Sequence, residues 1–206
     1  NMKETRTISL PEDISDITLS QYQRLVKLQN REDLDEEQLT KRVIMLFTGM
    51  KYRELTNIVY SDYQMLITNI FTALTIVDVP FEKTFVLNGV EYGFIPNLDE
   101  MSQGEYIDLT NDPMNTENMH EILAVLCRPV TARDNYGMYS IEVYNGTNGR
   151  EEVMLQCPMN VVNGLLGFFV SLSLELKNYI LKSTAKLEAQ RKKQRDTFKN
   201  GDGTQH

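Results

Sequence analysis

Nucleophilic or metal-assisted catalysis in this chain would have to draw on two histidines and two cysteines. His206 is the last residue of the sequence, so a Ser/His/Asp or Cys/His arrangement would need His120 as its base. His120 stands in "NMHEILAVL", at the start of an apolar run, where a surface or capping histidine is the expected role. A metal shared by His120 and Glu121 is not expected either, because neighbouring helix positions diverge. Cys127 and Cys157 are far apart, each closely followed by proline and flanked by apolar residues. That context suits buried thiols in a reducing compartment better than a disulfide framework or zinc site.

The remaining chemistry-bearing groups point the same way. "REDLDEEQ" lacks the alternating oxygen ligands and the glycine of a calcium loop, so it reads as a solvated helix start. The loop Asn145 to Gly149 has no following Lys-Ser/Thr, so it specifies no phosphate cradle. Asn145-Gly-Thr147 matches a glycosylation sequon, read here as a chance match in a turn. No catalytic, cofactor or metal residue is therefore assigned. The rival from the enzyme class is a small hydrolase whose carboxylates converge only in three dimensions.

The elements that would position any site follow from periodicity. "DITLSQYQRLVKLQN" predicts a helix capped at Thr18 or Ser20, with Tyr22, Leu25, Val26 and Leu28 on its apolar side. "DLDEEQLTKRVIMLFTGM" predicts a second helix, acidic in its first turn and stopped by Gly49. A third is expected from Ser61 through Leu74, and a short strand from Ile8 to Pro11. Phe81 to Leu87 and Val90 to Phe94 flank Asn88-Gly89, a strong hairpin signal, and predict a two-stranded ribbon. Ser102-Gln-Gly-Glu105 has capping-box spacing, and "ENMHEILAVLCRPV" reads as a helix terminated by Pro129. "NYGMYSIEVYNGTNGREEVML" reads as strand or loop.

The last expected element is one long helix from Pro158 to Arg195. Its first half contains "MNVVNGLLGFFVSLSL" and lies in an uncharged interval, Val153 to Leu174. Polar residues and Pro158 leave about 16 usable apolar residues, fewer than the roughly 20 of a membrane span. Gly164 and Gly167 each weaken a helix by roughly 1 kcal/mol relative to alanine. Their use would be close approach of another backbone, so this half is read as deep core or as a packing face. Val161, Gly164, Leu165, Gly167, Phe168, Phe169 and Leu172 are the candidate partner-binding residues.

Composition sets the frame. With 41% hydrophobic and 24% charged residues, the chain falls within globular usage rather than disorder. The net charge is −8, unevenly spread. From Lys177 to His206 eight Lys or Arg oppose Glu188, Asp196 and Asp202, a surplus of five positive charges that leaves −13 for residues 1 to 176. An acidic body repels phosphates, so the basic tail is the only nucleic-acid candidate. "NMKETRTISLPED" has no apolar core segment, so no secretory signal is expected there. The expected class is α+β, mainly helical: an N-terminal helical unit over 1–79, a hairpin and short-helix region over 80–157, and a long helix with a basic, frayed tail over 158–206. Residues 80–206 are expected to form one domain.

Three blocks, "ITLSQYQRLVKL" with "LFTGM", "GVEYGFIPNLDEMSQGEYIDL", and "AVLCRPVT" ahead of "MNVVNGLLGFFVSLSLEL", together resemble a virion-morphogenesis protein family of tailed bacteriophages, crAss-like phages included. The resemblance covers most of residues 17 to 176, with a looser similarity to tail assembly chaperones. An aromatic would be expected where this chain has Cys127. The resemblance implies a non-enzymatic protein without cofactors that binds other phage structural proteins or its own copies, in the tail or at the head-tail connector. It implies a place in the host cytoplasm during assembly or in the virion; that no membrane partner is expected rests on the short apolar stretch. It assigns no site residues.

Overall fold

The computed structural model describes residues 7–75, 79–111, 114–171 and Arg191. The chain is α+β and mainly helical. It divides into two compact units, residues 1–164 and 165–206. Among the described residues, no helix is long and apolar enough to cross a membrane.

In the first unit, α1 (Leu19–Gln29) begins at Thr18, whose side chain accepts from Gln21 N while Gln21 caps it in return. α2 (Glu36–Thr48) repeats the device with Asp35 and Gln38, and Glu36 and Glu37 complement the dipole of its first turn. Gly49 ends it in the left-handed region, at φ 65°. A single turn, α3 (Tyr52–Leu55), precedes α4 (Tyr60–Ala73). Helix α2 packs against α1 and α4, burying Val43, Ile44 and Phe47 from its own face and Leu66 and Ile70 from α4. Residues 7–11 form no strand. Their run is too short to supply a partner ladder, and Pro11 removes a donor.

The hairpin forms where expected, from β1 (Thr84–Leu87) and β2 (Val90–Phe94). Asn88 and Gly89 both take positive φ, 51° and 78°, as the tight turn requires. It belongs to a larger sheet than the two-stranded ribbon expected. β3 (Cys127–Arg133) and β4 (Tyr139–Ile141) extend it in the antiparallel order β1-β2-β3-β4.

After α5 (Gln103–Thr110), opened by the Ser102/Glu105 capping box, comes α6 (Met119–Leu126). Pro129 does not terminate α6, which passes directly into β3 at Cys127. Pro129 pairs with Tyr92 of β2 and lies just past the end of the β3–β4 ladder, which closes at Val130 opposite Ile141, so its missing N–H falls at a ladder end. The Pro129 carbonyl still accepts from Glu142 N at 3.0 Å.

The residues Ile122 to Leu126 are all buried, which makes α6 the central helix of the unit. It packs on α7 (Arg150–Met154), whose Met154 is fully buried. The chain then enters α8 (159–171). Leu19 N donates to Cys157 O at 2.8 Å and Met159 N to Ile17 O at 2.9 Å, so the starts of α1 and α8 are tied together. Apart from the helical Arg191, the remainder of the expected long helix, to Arg195, lies outside the described residues.

Both cysteines are buried. Burial pushes the Cys157 thiol up to about 12 and raises Cys127 as well, where the neighbouring Cys157 adds to the effect. The folded protein is therefore expected to resist a thiol reagent at neutral pH, with two thiols titrating once it is unfolded. Rapid labelling of either cysteine in the folded state would contradict this packing.

Candidate interaction surfaces

α8 carries the residues that the sequence nominated. A Cβ at Gly164 would stand 2.8 Å from the Pro80 carbonyl oxygen and 3.3 Å from Phe81 Cα. The close backbone approach expected of this glycine is therefore made within the chain itself. Gly167 has no described atom within 4 Å of the same position and is exposed. The close approach expected there is not made among the described residues. Leu165 is buried, while Val161, Phe168 and Phe169 are half-buried. The two phenyl rings meet edge to face at 5.7 Å. Leu172 lies outside the described residues.

His120 has a structural setting. Gln23, itself buried, donates from its amide nitrogen to Thr116 O at 2.8 Å and to Glu117 O at 3.1 Å, and that nitrogen lies 3.2 Å from His120 Nδ1. Nε2 of His120 approaches Glu121 to 3.8 Å, closer than the divergence of adjacent helix positions suggests. Among the described residues no three His, Cys, Asp or Glu side chains converge as a metal site.

One polar cluster is buried. Glu105 and Arg128 form an ion pair with side chains only 6% exposed. The Tyr144 ring lies 5.4 Å from the guanidinium carbon, and its hydroxyl donates to Asp108. Burial first, and then the bond to Asp108, push the Tyr144 phenol up to about 12. Burial alone would raise the Glu105 carboxyl. Hydrogen bonds from Ser102 and Arg128, together with the Arg128 charge, outweigh it and hold Glu105 below its ordinary value. A general acid needs the opposite direction. This cluster joins α5 to β3.

Two surfaces on the helical layer were not singled out by sequence reasoning. The first is a groove of about 520 Å³ between α1 and α2, floored by Leu28, Met45, Leu46 and Met50. Arg24, Lys27, Arg31 and Arg42 stand around it. Arg31 is paired with Asp33 at 2.5 Å, while Arg24, Lys27 and Arg42 are exposed and make no ion pair among the described residues. The second runs along α4 beside the start of α2. Tyr60 is 74% and Phe71 51% exposed, and both continue a stripe through Tyr63 and Ile67. Asp35, Glu36 and Glu37, all exposed, border Tyr63 and Ile67 across a cleft of about 460 Å³. The clue to the groove was available, since Arg24, Lys27 and Arg31 recur at helical spacing. Averaging charge over the acidic body conceals it.

Comparison with protein-family models, curated proteins and solved structures returned no match.

Proposed function

We propose that this is a non-enzymatic virion-morphogenesis protein of a tailed bacteriophage, acting through protein–protein contacts in the tail or head-to-tail region. The sequence blocks between residues 17 and 176 supply the phage setting by resemblance. The observation that carries the contact role is the α4 stripe, where Tyr60 and Phe71 remain largely exposed in line with the half-buried Tyr63 and Ile67. Large aromatics of this kind, rimmed by carboxylates, are the composition of a protein-binding face. The protein works either as a tail assembly chaperone in the host cytoplasm or as a permanent structural component of the virion. The half-buried Val161, Phe168 and Phe169, with the buried Leu165, are further contact candidates on the last helix.

Mass spectrometry of purified particles, with copy number calibrated against the major capsid protein, separates the two forms. A fixed stoichiometry near that of a symmetric ring identifies a joint or tail component. Absence from particles, with abundance in infected-cell lysate, identifies the chaperone. Absence from both would sink the proposal.

A further inference from the structure

We infer that the basic groove between α1 and α2 receives the acidic, aromatic edge of α2 and α4 from a second copy of this chain, head to tail. The inference deepens the protein-contact reading by naming the partner, and it rests on that reading for its biological setting.

The argument begins with charge. Residues 1 to 176 carry −13, yet four cations of that segment stand around one groove. Among the described residues Arg31 is paired with Asp33, whose charge also reaches Arg42, while Arg24 and Lys27 make no ion pair. Like charges gathered around an open apolar floor repel one another, and an arriving anionic surface relieves that repulsion. Nucleic acid satisfies the same local charge, but the surrounding acidic body opposes its approach. An acidic protein surface with apolar side chains between its carboxylates matches both the rim and the Leu28, Met45, Leu46 and Met50 floor.

The same molecule carries such a surface. Glu36 is exposed without an ion pair among the described residues, Asp35 is exposed beside it, and Tyr63 and Ile67 lie between them and the Tyr60 and Phe71 rings. Glu37 is partly neutralised by Lys41 at 2.5 Å. At about 100° per residue, Glu36, Glu37 and Thr40 point to one side of α2, while Arg42, Met45 and Leu46 point to the other. Two complementary surfaces on opposite sides of one helix cannot meet within a single molecule. They can meet between copies, and the contact is heterologous, so repetition generates a ring if it closes and a filament if it does not.

Sedimentation velocity on the full chain over a concentration series tests this. Wild type is expected to self-associate at low salt. Raising the salt until the Debye length falls from about 30 Å to about 3 Å should weaken association. Arg24→Glu with Arg42→Glu, and separately Glu36→Lys, should each weaken it at least roughly tenfold. These side chains are exposed, and unchanged circular dichroism melts establish that the variants fold. Mixing the two variants pairs the intact edge of one with the intact groove of the other, so association is expected in the mixture where neither variant associates alone. A wild type that stays monomeric overturns the inference while leaving the particle measurement to decide the function. Self-association indifferent to the reversals overturns it too. So does a groove that binds a short DNA duplex, losing it on Arg24→Glu/Arg42→Glu, without self-association.

Discussion

Gly164→Leu is expected to destabilise the fold by about 3 kcal/mol, at the upper end of ordinary overpacking. The reason lies in what surrounds the missing side chain. A Cβ would sit 2.8 Å from the Pro80 carbonyl oxygen, and 3.3 Å from Phe81 Cα. These are backbone atoms, so no rotamer change relieves the contact and the segment itself must move. Moving it disturbs Phe81, whose ring meets Phe94 edge to face at 5.3 Å and so joins this segment to β2. Even alanine should lower stability here, although replacing glycine inside a helix ordinarily gains up to about 1 kcal/mol. Gly167→Ala is the internal control. It lies on the same helix with no described atom near its Cβ position, so it should gain what Gly164→Ala loses. Thermal melts can read this, since the leucine variant should fall roughly 6–12 °C at about 2–4 °C per kcal/mol for a chain of this size. Equal shifts of the same sign at the two glycines would remove the distinction between them.

That contrast also marks where sequence reasoning stops. Periodicity identified both glycines as places for close approach, but only folding determines which one meets residues 80–81. Features set by neighbouring residues were legible: a cap at Thr18, one of the two candidates, the Ser102/Glu105 box, the Gly49 stop and the Asn88-Gly89 turn all rest on hydrogen bonds or φ angles within a few positions. β3 was not legible, because Pro129 is an ordinary helix stop until one knows that β4 ends opposite Val130. Nor was the setting of Gly93. A Cβ there would fall 2.5 Å from Tyr139 Cε2, so the glycine makes room for a ring whose hydroxyl donates to Phe94 O at 2.7 Å. Gly93 and Tyr139 lie 46 residues apart, and Pro129 and the end of β4 at Ile141 lie 12 apart. The basic groove failed for a different reason: Arg24 and Lys27 lie on α1 and Arg31 just beyond its end, but Arg42 joins them only when α2 packs alongside.

Arg128→Met should cost about 3–5 kcal/mol, the usual penalty for stripping one member from a buried ion pair. Glu105 would keep its Ser102 N hydrogen bond at 2.6 Å but lose its counter-charge in a site where its side chain is only 6% exposed. Tyr144 would lose the guanidinium against its ring as well. Replacing both partners, as Glu105→Gln with Arg128→Met, should cost less than the sum of the two single changes, because no uncompensated charge remains. The dependence on pH gives the sign independently. In the wild type Glu105 is held below its ordinary value, so its contribution is present above the unfolded carboxyl range and lost as pH falls through the folded one. In Arg128→Met burial acts without that counter-charge, the folded value rises, and acidification relieves the buried carboxylate by protonating it. The stability gap between wild type and Arg128→Met should therefore narrow as pH falls, measured by urea unfolding across the acid range. A gap that stays constant would mean that Arg128 acts through packing against Tyr144 and not through its charge on Glu105.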